Sequence, residues 1–193
     1  MMQLTNKEFE LIQDVDFILT KVSVLNKMRL LLERVRLEMI SVVIDSDFNF
    51  PVGVNLSSGK ISKGENYRSL PYQVLDYPAY FDRENIFAIR TMFLWGHFFS
   101  CTLHLQGMHL DRYRENIWEN RNKLIEQDLY ISVGETPWQY HYEQDNYVYY
   151  TKEQEDHLKH PVFLKLSKKV ALGDLERLPA ESGKFIKLML SIL

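Results

Sequence analysis

The residue with the clearest chemical potential in this chain is Arg90. It interrupts the apolar run Ile86–Leu94, and a second run of the same kind, Phe98–Gln106, follows within three residues. Two strand-like runs joined by so short a connection around Gly96 read as a β-hairpin. A two-residue turn at Trp95–Gly96 or Gly96–His97 would place Ile86, Ala88, Arg90, Met92 and Leu94 on one face with Phe99, Cys101, Leu103 and Leu105. Arg90 would then be a lone cation on an apolar face. Arginine is rarely buried without a partner, so two readings follow. In one, its guanidinium fork anchors a carboxylate or phosphate of a small anionic ligand. In the other, it is paired internally with an acid such as Asp76 or Glu84. An odd-length turn would exchange the two faces.

The other face carries Ser100, Thr102, His104 and Gln106 on alternate positions. A histidine titrates near neutrality and can exchange protons with a substrate. His104 is therefore the one catalytic candidate, with Arg90 and Thr102 beside it as ligand-binding candidates. The plain alternative is a solvated strand face.

Other constellations are weaker. Glu153, His157 and His160 are spaced as metal ligands on a helix would be, but they lie in a short polar stretch beside Pro161. The segment Gly53–Ile61, GVNLSSGKI, approaches a phosphate-binding loop. It has five residues between the glycines instead of four, and Ile61 where a hydroxyl must bind magnesium. The expectation is no metal and no cofactor.

Two aromatic features suggest contact surfaces. Trp138, Tyr140 and Tyr142 precede Tyr147 and Tyr149, as if paired across a second hairpin at Trp138–Tyr142 and Tyr147–Thr151. Stacking of nucleic-acid bases there is disfavoured, because residues 135–157 carry six acids against Lys152. The C-terminal helix expected at 180–192 is apolar nearly all round, with Phe185, Met189 and Leu193 among its residues. Such a helix must be buried, either in its own core or against a second subunit.

The elements that must hold these residues follow from periodicity. Residues 5–19 read as a first helix. Leu25, Met28, Leu32, Val35, Met39 and Val42 are spaced three and four apart, which defines one apolar stripe on a second helix over about 22–44. That stripe is either a coiled-coil seam or a face lying on a sheet. Residues 46–71, with three glycines and two prolines, read as a long loop able to roof a pocket. Tyr72–Tyr80 reads as a strand in which Pro78 marks an edge. Residues 109–127 form an amphipathic middle helix, Leu129–Val133 a short strand, Lys152–His160 a helical turn or two, and Val162–Leu172 a further strand. The fold class is α+β: an antiparallel sheet built on the central hairpin at 86–106, with two N-terminal helices, a middle helix and a C-terminal helix packed on it. A single globular domain over 1–193 is expected from the length.

The chain has 193 residues and a net charge of −3, so no basic excess invites nucleic acid. One cysteine, Cys101, cannot form an internal disulfide. No apolar run approaches the roughly 18 residues of a membrane span, and the acidic N-terminus does not resemble a secretory leader. The expected setting is cytoplasmic. The leading functional expectation is a non-catalytic protein-interaction module, a homodimer or a binder of another protein. The alternative is a small-molecule binder or enzyme using Arg90 and His104.

Overall fold

The computed structural model describes residues 3–193. The fold is mixed α+β, centred on one seven-stranded antiparallel sheet. In chain order come α1 (Asn6–Gln13), α2 (Val15–Ile44), β1 (Lys60–Tyr67), β2 (Leu70–Phe81), β3 (Ile86–Leu94), β4 (Phe98–Gln106), α3 (Met108–Glu119), β5 (Leu129–Ser132), β6 (Tyr147–Tyr149), β7 (Phe163–Ala171) and α4 (Leu178–Leu190). Short 3-10 turns lie at 121–124, 152–158 and 172–177. The strand order is β1-β2-β3-β4-β7-β5-β6.

The central hairpin β3–β4 has a three-residue loop, and this corrects the expected faces. Leu94 pairs with Phe98 and Arg90 with Thr102. Gly96 takes φ +75 and the His97 N–H closes the turn on the Leu94 carbonyl at 3.1 Å. Glycine is needed there because a side chain at that φ is strained. Paired positions therefore sum to an even number, and Arg90 shares its face with Ser100, Thr102, His104 and Gln106. The apolar face consists of Phe87, Ile89, Thr91 and Phe93 with Phe99, Cys101, Leu103 and Leu105.

That apolar face meets the helices. Leu32, Val35 and Met39 of α2 and Phe185, Ile186 and Met189 of α4 are buried in one cluster with Phe87, Leu103 and Leu166. The stripe on α2 is thus a core face, not a seam between chains. Phe185, Met189 and Leu193 likewise lie in the chain's own core, so they offer no surface to a second subunit. Ser182 and Gly183, small residues in the middle of α4, let it lie close: Ser182 sits 3.2 Å from Cys101 Sγ, and a Cβ at Gly183 would fall 2.8 Å from the Glu38 carboxylate.

Three further expectations change. The region 46–71 is not all loop: β1 begins at Lys60 and joins β2 through Arg68 and Ser69, both at positive φ. The helix break falls at Asp14, whose side chain accepts the Phe17 N–H at 2.8 Å and caps α2. Residues 138–142 form no strand, and β6 pairs with β5 instead. Pro78 is tolerated because β2 bulges between Asp76 and Ala79 and has left β1 by that point. Among the described residues no helix is long and apolar enough to cross a membrane.

Candidate functional site

A polar row crosses the whole sheet on the face away from the helices. Strand pairing sets Lys60 beside Asp76, Asp76 beside Arg90, Arg90 beside Thr102, Thr102 beside Ser167, Ser167 beside Tyr130 and Tyr130 beside Tyr149. Two residues along β4 from Thr102, on the same face, His104 lies between Ala88 and Lys165. Arg90, Thr102 and His104 thus lie on one face of the sheet, whereas the sequence pattern had placed Arg90 on the opposite side from the other two.

Residues 133–146 form a strap over this row. Tyr67 pins it: its hydroxyl accepts the N–H of Tyr140 at 2.6 Å and that of His141 at 3.1 Å. The strap then supplies the partners the row needs. The Tyr140 hydroxyl accepts from Arg90 Nη1, the Gln139 carbonyl accepts from Lys165 Nζ, and the Tyr142 hydroxyl bonds Ser167. Lys165 Nζ also sits 4.7 Å from the Tyr140 ring centre and 4.9 Å from that of Tyr147, within cation–π range.

Arg90 is paired internally. Its Nε donates to Asp76 Oδ1 at 2.7 Å and its Nη2 to Asp76 Oδ2 at 2.9 Å. With Nη1 on Tyr140, every guanidinium nitrogen is engaged within the protein. Of the two readings of Arg90, the internal ion pair is the one the geometry realises, and Asp76 is the acid.

Burial dominates the electrostatics of the neighbours. Lys165 is 1% exposed and faces no carboxylate. Desolvation, reinforced by Arg90, lowers its pKa to about 7. His104 is pushed down to about 3 by burial first, then by the cations Lys165 and Arg90. Its Nε2 has no hydrogen-bond partner among the protein atoms, and the Trp138 ring stands edge-on 5.7 Å away. Neutral His104 and Lys165 could in principle exchange protons, but both are sealed beneath the strap.

Beside them lies an open depression of about 440 Å³. Its lining includes Asp76 and Arg90 on the floor, Phe81 and Trp138 on the walls, and Lys60 at the rim. The Gly59 turn, at φ +65, closes one side; a Cβ there would come within 2.8 Å of Tyr77 Cβ. Thr102 and His104 do not line it. Of the aromatic contact candidates, Trp138 and Tyr149 are exposed, whereas Tyr140 turns inward onto Arg90.

Metal candidates resolve simply. Glu153, His157 and His160 form no ligand cluster. Among the described residues only His141, Glu143 and Asp145 bring three ligand atoms within 4.8 Å of one another. Arg68 already pairs with Glu143, and both carboxylates are exposed, so ion pairing accounts for the trio.

A second region stands out by exposure. Leu4, Phe9, Leu11 and Ile12 around α1, and Phe17 and Ile18 at the start of α2, are each between 41% and 67% exposed, and α1 buries nothing. Along the whole of α2, on the side opposite its core stripe, Val15, Leu19, Val22, Leu30, Leu37 and Ile44 form a line. Each is between 51% and 75% exposed. With the polar residues Asn26, Glu33 and Ser41 between them, these positions repeat every eleven residues, a period that stays on one face of a nearly straight helix. The signal was present in the sequence but was masked by the stronger core stripe on the same helix. Lys165 was also missed, because a lone charge in an alternating strand reads as solvent-facing until its cover is known.

No protein-family model matches the chain, and neither does any curated protein or solved structure.

Proposed function

We propose that this chain is a non-catalytic interaction module that self-associates through its N-terminal helices. The observation that carries the reading is the apolar line on the outer face of α2, continued by the uncovered apolar residues of α1. Scattered exposed apolar residues are ordinary, but a contiguous apolar surface of this extent marks an interface. The line runs the length of a 30-residue helix, about 45 Å, which is ample for the roughly 800 Å² per partner of a standard interface. The lack of a reachable nucleophile or acid–base pair in the polar row fits the same reading.

Sedimentation velocity on the full chain tests it. The expected result is a dimer at micromolar concentration that the pair Leu19→Asp with Leu30→Asp converts to a folded monomer. A wild-type chain that stays monomeric at 100-fold higher concentration overturns the reading.

A second reading, a small-molecule site in the depression beside Arg90, is favoured by one observation: two aromatic walls and the cation Lys60 converge on it. An anion would there meet Lys60, since Arg90 is held by Asp76. A thermal-shift screen of small anions is expected to find a ligand whose effect disappears in Lys60→Ala. The absence of any shift would remove this reading.

A further inference from the structure

We infer that the depression beside Arg90 is a binding site for a planar aromatic acid that carries a ring hydroxyl or a ring N–H. The inference rests on the small-molecule reading above and names its ligand class.

The floor offers no net charge. All three guanidinium nitrogens of Arg90 are engaged, two on Asp76 and one on Tyr140. The Asp76 carboxylate is neutralised by that pair. It still has acceptor capacity, because a carboxylate offers about four lone-pair positions and Arg90 fills two of them. The floor therefore selects a hydrogen-bond donor, a hydroxyl or an N–H.

The rim supplies the contact for an anion. Lys60 lies beside Asp76 in strand register and lines the depression. Among the described residues the lysines held in ion pairs are Lys21, Lys159, Lys168 and Lys184, which leaves Lys60 free for a ligand carboxylate. A phosphate site gathers several donors, whereas one ammonium suits a monoanion. The loop side adds shape in place of charge: Asn55 Oδ1 accepts the N–H groups of Ser57 and Ser58 at 3.0 and 3.2 Å.

The walls select the body of the ligand. Phe81 pairs with Ile86 and so shares the face of Arg90. Its ring centre lies 5.8 Å from the guanidinium carbon, and that of Tyr140 lies 5.2 Å from it. Phe81 and Trp138 remain 41% and 51% exposed while lining the depression. A flat ring gains most there, because it stacks on the exposed rings and turns its polar edge to Asp76. A sugar acid would find one acceptor for its several hydroxyls. The volume of about 440 Å³ accommodates a single-ring ligand.

Ligand-observed NMR titrations of the full chain with para-hydroxybenzoate, benzoate, cyclohexanecarboxylate and glucuronate test the inference. Para-hydroxybenzoate is expected to bind with a Kd of about 1 mM or below. Benzoate, which lacks the donor for Asp76, is expected to bind about tenfold more weakly, and the two non-aromatic acids more weakly again. Phe81→Leu and Trp138→Leu are each expected to weaken the aromatic acids and to leave cyclohexanecarboxylate unchanged. Two wall variants are needed because Trp138 also stands against His104, whereas Phe81 belongs to β2. Lys60→Ala is expected to weaken all four acids alike. Equal binding of all four acids, lost in Lys60→Ala, overturns the aromatic class and leaves the anion reading intact. Tighter binding of glucuronate overturns it in favour of a sugar acid, and equal binding of the two benzoates overturns the role given to Asp76. No binding by any of the four overturns this inference and the small-molecule reading together.

Discussion

On the helix side of the sheet, Phe87, Ile89, Phe93, Leu103 and Leu166 lie in one apolar cluster with buried residues of α2, α3 and α4. On the other side, beneath the strap, Arg90 is held by Asp76 and Tyr140, Thr102 by Ser167, and Lys165 by the Gln139 carbonyl, whereas His104 Nε2 has no partner. Both faces are largely buried, but by different means. The helix side gains from area and close packing. The strap side must satisfy charges and hydrogen bonds, and a half-satisfied network costs more than an apolar one. It follows that mutations should act through volume on one face and through unpaired charge on the other.

The largest effects should come from the helix side. Phe185→Ala removes a buried ring from the contact of α4 with the core and is expected to cost about 3–5 kcal/mol, measured by urea denaturation. On the strap side, Asp76→Ala strands Arg90 and is expected to cost about 3 kcal/mol. The double variant Asp76→Ala with Arg90→Met should recover most of that loss, as no volume-based account would predict; an uncompensated double variant would mean that the ion pair is not what Asp76 contributes.

Acid sensitivity separates the faces next. The His104 pKa is depressed from 6.5 to about 3 in the folded chain, so the unfolded state binds the extra proton first. The stability associated with neutral His104 is complete above pH 6.5 and is lost as pH falls toward 3, by up to a few kcal/mol. Lys165, depressed from 10.5 to about 7, adds a rise in stability from pH 7 to 10.5. Stability measured against pH should therefore flatten between 4 and 6.5 in His104→Gln, and between 7 and 10 in Lys165→Met. An unchanged slope in both would show that the strap does not exclude water from this row. The smallest effect is expected for Tyr67→Phe, which removes the acceptor of two strap N–H groups and should cost about 1–2 kcal/mol. Amide exchange at residues 140 and 141 should rise with it.

Much of the fold was legible in the residues. Both strands of the central hairpin match their expected bounds, and the middle and terminal helices match to within a turn apart from the 3-10 end of the middle one. These are long, strongly periodic segments. The β1–β2 hairpin was not legible, because its two-residue turn uses Arg68 and Ser69 at positive φ in place of the glycine or asparagine that signals such turns. Within the strap, residues 138–142 read as a strand because their aromatics alternate, yet Trp138, Tyr140 and Tyr142 meet side chains of the sheet and not a neighbouring strand.

The sequence by itself determined the fold class, the types of most elements and the amphipathic stripe of α2, since these follow from local periodicity along one chain segment. The tertiary structure decided which face of the sheet Arg90 occupies, because a single residue in the 95–97 loop inverts the parity of a whole strand pair. It also decided which of the two apolar stripes on α2 is core. Periodicity reports that a face is apolar, but only the packing of β2 and α4 determines which face the chain itself covers and which it leaves exposed.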